Sequence, residues 1–310
     1  MSRIAVLGLG LIGGSVAQGL ARTHDVIGFD PDRSDSRTGR LAFAATPEEA
    51  VDGADVVVLA APVPANDDLL ALVPGTAVVT DVGSVKAPIA AAWQHQRLVP
   101  GHPMAGAETA GWEAATPDLF TGARWALCPG PWASREDFLT VCALVLELGA
   151  VVVPVDPVEH DAAVARISHA PHLVAAALAS SADTGDHPAL TRTLAAGSFR
   201  DLTRITASPP ARTAEFVFAN RGQTAGVLRE LAQALTETAD ALEDRDRLQA
   251  LLAAGHTARQ QVDGATRRGP QQPLVLDGPD WWEPLLDVGR AGGLVHAVDG
   301  STLTVTFPED

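Results

Sequence analysis

The segment 101–112, GHPMAGAETAGW, sets a histidine among small residues directly after an apolar run, QRLVP. An imidazole held there could take or give a proton near neutral pH, so His102 is a candidate base or hydrogen-bond partner. Glu108 is a carboxylate in the same loop. Ser84, inside DVGSVK, has a hydroxyl that could hold the imidazole in one tautomer or touch a substrate directly. That stretch also carries Asp81 and Lys86, the latter the only lysine in the chain. Further on, AAGSFRDLTRI (195–205) gathers Arg200, Asp201 and Arg204. In a chain of formal net charge −16, a carboxylate ligand needs a local cationic site, and guanidinium grips carboxylate through two parallel bonds. Arg200 and Arg204 are therefore candidate anion ligands, a solvated helix face being the alternative.

The other histidines are less informative. Nine are present; His24, His95, His187, His256 and His296 fall in surface or loop settings, and His160 starts a helix. His169 and His172 stand three apart, the spacing of a metal pair on one helix face. No acid or thiol in register completes that set, so no metal is expected. For His169 two readings stand, a wall of a substrate pocket or a satisfied core histidine.

A second constellation binds rather than reacts. Gly8-Leu9-Gly10-Leu11-Ile12-Gly13 follows a short apolar run and opens a helical pattern. Asp30 ends the next strand-like run, 17 residues beyond Gly13. In that context G-x-G-x-x-G is a dinucleotide fingerprint. Gly8 permits the tight turn, Gly10 admits the pyrophosphate to the backbone, and Gly13 lets the helix pack on its strand. The helix-start amides, around Leu11 and Ile12, then face the phosphates. Asp30 can accept from both ribose hydroxyls and repels a 2′-phosphate, which favours NAD over NADP; Arg33, close by, pulls the other way. Ala61 and Pro62 in AAPVPAN, Ser84, and His102 with Glu108 all follow strand ends, where ligands sit in open α/β sheets. They are expected at the nicotinamide half of the cofactor.

The elements that must position these residues alternate over the first half: RIAVLGLG, DVIGFD, DVVVLAAP, AVVTDVGSVK, LVPGHPMAG, RWALCPG and VVVPVD read as strands, with helical stretches between most of them. The expectation is an α/β fold, with a Rossmann-type, mostly parallel sheet over residues 1–157 covered on both faces. Residues 158–264 have helical periodicity and read as a second, all-helical domain. In the tail, 265–310, LVHAV and LTVTF alternate around Asp299-Gly300 and predict a β-hairpin.

Composition bounds the partners. At 310 residues with 46% apolar content, the chain can bury two cores, and no run approaches the ~18–20 apolar residues of a spanning helix. The N-terminal apolar stretch runs straight into the glycine pattern without a cleavage site and reads as the first strand, so a cytoplasmic protein is expected. The acidic balance argues against nucleic acid and anionic membranes. Two cysteines, Cys128 and Cys142, make no disulfide framework.

GLGLIGGS, DVGSVK, GHPMAGAETAGW with LFTGARWALCP, HDAAVARISHAPH and GSFRDLTRI, in this order, resemble the prephenate/arogenate dehydrogenases of tyrosine biosynthesis over about residues 3–250. The resemblance implies NAD-dependent oxidative decarboxylation of prephenate to 4-hydroxyphenylpyruvate, with arogenate or a 4-amino-4-deoxyprephenate analogue as alternative substrates. It implies that His102 acts on the ring hydroxyl with help from Ser84, that Arg204 binds a substrate carboxylate, that His169 lines the pocket, and that Glu108 sits near its mouth. It also implies a homodimer formed by the helical domain and an active site between the domains. Glu108 could meet the ammonium of arogenate. The tail does not resemble the regulatory ACT domain of some members. Two other readings fit the glycine motif. A β-hydroxyacid dehydrogenase would rely on a lysine in the helical domain, and this chain has none there. A non-catalytic NAD-binding regulator would bind NAD without needing His102.

Overall fold

The computed structural model describes residues 1–33, 40–93, 97–106, 109 and 111–309. They form two compact units: Met1–Val158 together with Gly264–Asp310, and Glu159–Asp263.

The first unit holds two six-stranded sheets. The first sheet uses β1 (Arg3–Leu7), β2 (Asp25–Phe29), β3 (Leu41–Phe43), β4 (Val56–Leu59), β5 (Val78–Asp81) and β6 (Leu98–Val99) in the order β3-β2-β1-β4-β5-β6. Every pairing in it is parallel. All residues of β4 and β5 are buried, which is why VVVL and VVTD read as unbroken runs rather than alternations. The chain order reverses between β1 and β4, the switch point where the Gly-rich turn and the loop after β4 meet. Helix α1 (Leu11–Leu20) opens directly after Gly10 and buries Gly13, Val16, Ala17 and Leu20.

The second sheet is where the sequence expectation needed refinement. The stretch LVPGHPMAG is not one strand. It divides at Pro100 into β6 and β7 (Gly101–Pro103), and β7 belongs to the second sheet with β8 (Arg124–Leu127) and β9 (Val151–Pro154). Periodicity reports that a segment is extended; it cannot report which neighbour it pairs with. The predicted hairpin is present as β11 (Leu294–Asp299) and β12 (Thr302–Thr306), turning at Gly300 with φ +57°. It does not stand alone. With β10 (Gln272–Val275) it extends the same sheet, in the order β10-β12-β11-β9-β8-β7. Helix Arg135–Glu147, started by a Ser134/Asp137 capping box, packs its Phe138 on Trp281 of the tail at 5.5 Å between ring centres. Leu276, Leu285, Val295 and Leu303 of the tail are fully buried in the core shared with Phe138 and Val152.

The second unit is helical. Its described elements include one continuous helix, Pro157–Ser181, long and apolar enough by length and composition to cross a membrane. It is not an unbroken apolar run in the sequence, because Glu159, Asp161 and Arg166 interrupt it. Within it the turn Ala165–His169 is π-helical. Pro171 explains the wider turn: its ring would collide with the carbonyl four residues back, at Ile167, in regular α geometry. The unit buries little of its apolar surface. Ala165, Ala170 and Val227 form its buried cluster, while Ile167, Leu194, Leu202, Phe218, Leu235 and Leu252 stay exposed.

Candidate active site

At the glycine-rich turn the geometry is that of a nucleotide cradle. Gly8 has φ +98°, and a Cβ there would lie 2.5 Å from the Ala61 amide nitrogen. A Cβ on Gly13 would lie 2.0 Å from the Gly8 carbonyl oxygen, so helix and strand close only on glycine. Gly10 is the opposite case, with nothing within 4 Å of a built Cβ, leaving open space beside the α1 start. Leu11 and Ile12 supply the first helical amides there. Asp30 follows β2 and is tied to the turn, its Oδ2 accepting from the Leu9 amide at 2.7 Å and its Oδ1 from the Asp32 amide at 3.1 Å. Arg33, which sequence reasoning left as a pull toward a 2′-phosphate, is already engaged. Its guanidinium lies 4.3 Å from the centre of the Trp112 ring and 3.0 Å from the Glu113 carboxylate. Both features fit NAD.

Ala61 and Pro62 follow β4, and the buried Asn66 donates to the Ala61 carbonyl at 2.9 Å. Asn66 went unnoticed in the sequence; its only signal is an amide one turn into an apolar helix start.

Ser84 and His102 are held by one buried network. Ser84 lies in the loop after β5, and His102 is the middle residue of β7, opposite Ala126 of β8. Both are half-buried. Beneath them lies a fully buried ion pair, Asp81 with Lys86, with both side chains at 0% exposure. Asp81 accepts from the Gly83 amide at 2.8 Å and the Gly101 amide at 3.1 Å; Lys86 donates to the Gly101 carbonyl at 2.7 Å. Glu108 lies outside the described residues.

The helical unit carries the other candidates. His169 is 1% exposed, with its Nδ1 accepting from Asn220 at 3.1 Å and its ring 4.9 Å from Phe216. Asn220 also donates to the Asp161 carbonyl at 2.7 Å, and His160 meets the Asp161 carboxylate at 2.8 Å. Burial pushes the His169 pKa down to about 4, against the opposing pull of Asp161. His169 is thus a neutral imidazole with Nδ1 as acceptor, which leaves the proton on Nε2. Burial also lowers the pKa of His172, which packs edge-on to Phe216. Arg200, in the helix Gly197–Thr203, and Arg204, at its end, are both exposed and one turn apart. Among the described residues no three His, Cys, Asp or Glu side chains converge as a metal site. Cys128 and Cys142 are buried free thiols, and burial raises the Cys142 pKa to about 12.

Residues 16–154 match the nucleotide-binding domain model of prephenate dehydrogenase, and residues 156–254 match its dimerization domain model. A prephenate dehydrogenase of Bacillus subtilis is 30% identical over 95% of this chain and 83% of its own length. The solved arogenate dehydrogenase of Synechocystis superposes with a TM-score of 0.73 at 28% identity, covering 84% of this chain and 99% of that one. The prephenate dehydrogenase of A. aeolicus, solved with hydroxyphenyl propionate and NAD+, superposes with a TM-score of 0.77 at 25% identity over 85% and 99%. With both halves of the family matched in order, and a glycine turn and Asp30 shaped for NAD, the chain is an NAD-dependent oxidoreductase that belongs to the prephenate dehydrogenase family.

Proposed function

We propose that the protein oxidatively decarboxylates prephenate to 4-hydroxyphenylpyruvate. The observation that carries this reading is the mounting of His102 on β7 and of Ser84 in the loop after β5 by one buried network, in the unit that holds the dinucleotide cradle. Gly8, Gly10, Gly13, Asp30, Ala61 and Pro62 would hold NAD, which would supply the acceptor for the hydride that leaves the ring carbinol carbon. His102 takes the proton of the ring hydroxyl as the carbonyl forms, and Ser84 steadies the imidazole or the hydroxyl. Carbon dioxide departs and leaves its bonding electrons to the ring, which becomes aromatic as a phenolate that takes the proton back from His102, so the protein needs positioning and one base rather than a strong acid. Arg204, with Arg200, clamps a substrate carboxylate. His169, neutral, lines the pocket as a donor through Nε2.

The exposed apolar side chains of the helical unit fit a homodimer built through that unit, as its match to a dimerization domain suggests. The substrate's side chain stands open to one alternative, arogenate, for which Glu108 would pair with the ammonium. NADH formation with each substrate, in the wild type and in His102→Asn, tests the reading. Turnover of prephenate in the wild type and a loss of about 10²–10⁴-fold in the variant are expected for removal of a general base. Oxidation of neither compound would remove the function, and full turnover by the variant would remove the role of His102. Arg204→Ala should chiefly raise KM.

A further inference from the structure

We infer that the buried Asp81–Lys86 ion pair is a positioning device for the reacting histidine, standing in for the strand that β7 lacks on its outer edge. The inference rests on the roles proposed above for His102 and Ser84.

The argument starts from strand alternation. Among the described residues β7 is the last strand of the second sheet and has a neighbour on one side only, β8. The Pro100 carbonyl accepts from Cys128 at 2.9 Å, and the Met104 amide donates to Arg124 at 2.8 Å, so the even-numbered residues turn their backbone groups toward β8. Gly101 must then turn both of its groups away from β8, where an edge strand would leave them unpaired. They are paired instead by side chains: the amide by Asp81 and the carbonyl by Lys86. The next outward residue, Pro103, has no amide to satisfy. There is no slack in the grip, because a Cβ on Gly101 would lie 2.8 Å from the Asp81 carbonyl oxygen and 2.9 Å from the Trp125 indole nitrogen.

The same pair fixes the loop that carries Ser84. Asp81 lies before it and Lys86 after it, and the carboxylate also takes the Gly83 amide. One ion pair therefore holds the backbone immediately before His102 and both ends of the Ser84 loop. A buried ion pair is often no more stabilising than apolar residues of the same volume, so stability alone is a weak reason to keep one. Lysine is also specific here. The other basic residues of this chain are all arginine, yet the position enclosed on every side holds the compact tetrahedral ammonium and not a planar guanidinium.

The test uses the full chain and the variants Lys86→Met, Lys86→Arg and the double variant Asp81→Asn/Lys86→Met. The double variant leaves no unpaired buried charge and covers the case in which Lys86→Met fails to fold. The first readout needs no substrate: the His102 ring Cε1–H resonance, assigned by its loss in His102→Asn. It should shift or broaden in the variants, while the distant His24 resonance and the NAD affinity stay within twofold of wild type. The second is turnover. Each variant should lose at least tenfold in kcat with a smaller change in KM, and Lys86→Met placed on His102→Asn should change the residual rate less than twofold. An effect through general loss of fold would lower both backgrounds alike. An unmoved His102 resonance in a folded variant, or equal losses in the two backgrounds, overturns the inference. Full turnover by His102→Asn alone would overturn the role of His102 while leaving the resonance to decide the positioning.

Discussion

His169 makes the stability of the protein depend on pH in a way that can be computed before it is measured. Burial lowers its pKa from 6.5 to about 4 in the folded chain. Between those values the unfolded chain binds a proton that the folded chain refuses, so stability must rise with pH across this window. The contribution is fully present above pH 6.5 and is lost as the pH falls toward 4. The full shift corresponds to about 3 kcal/mol, and between about pH 8 and pH 5 the loss is about 2 kcal/mol. His169→Gln keeps an acceptor for Asn220 and cannot titrate. His172 and His296 are also lowered by burial, but both proteins share them and they cancel in the difference. All six tryptophans lie outside Glu159–Asp263, so far-UV circular dichroism, not tryptophan fluorescence, must follow urea unfolding of the helical unit. The stability gap between wild type and variant should narrow by about 2 kcal/mol on going from pH 8 to pH 5. Parallel profiles would show that His169 is not held neutral in the fold, and the donor role assigned to its Nε2 would fall with it.

Three further expectations follow from the first unit. Truncation after Gly264 removes Leu276, Leu285, Val295 and Leu303 from a shared core. At about 1.5–3 kcal/mol for each buried side chain, the loss reaches the whole stability of an ordinary domain, about 5–15 kcal/mol. A folded, active truncated protein would refute the integration of the tail; Trp281→Ala alone should cost about 3–5 kcal/mol by thermal or urea unfolding. Asp30→Ala should weaken NAD binding about tenfold in a fluorescence titration, and adding Glu113→Gln, which frees Arg33, should raise NADP affinity. Unchanged affinities for both cofactors would move the ribose site elsewhere. Cys142, with its thiol pKa raised to about 12, should resist alkylation until the protein unfolds, and rapid native labelling counted by mass spectrometry would contradict its burial.

The parts of this fold that were legible are those in which a local requirement writes itself into residue type. Gly13 is forced by its contact with the Gly8 carbonyl oxygen close by in the chain, and Gly8 by a backbone angle, φ +98°. The illegible parts are choices of partner. Residues 98–103 read as one strand because nothing in LVPGHP says that its two halves join different sheets. The hairpin at Gly300 was plain, but its pairing of Val295 with Val152, far back in the chain, was not. Asn220 lies 51 residues from the imidazole it holds, and Lys86 showed only its rarity until Gly101 lay beside it.

That division explains how a three-residue edge strand can carry the residue proposed as the base. A base must be held within a fraction of an ångström, and loops do this less well than regular elements. Changing sheets at Pro100 puts His102 on a strand while its side chain stays half-exposed. The cost of the arrangement is an edge with one neighbour. The C-terminal strands stiffen the sheet from its far side, by way of β11, β9 and β8, and the Asp81–Lys86 pair grips the near side. On this view the tail and the only lysine serve the same histidine from opposite edges, and weakening either should loosen His102 before it disturbs the NAD cradle around Gly8, which closes on Ala61 after β4.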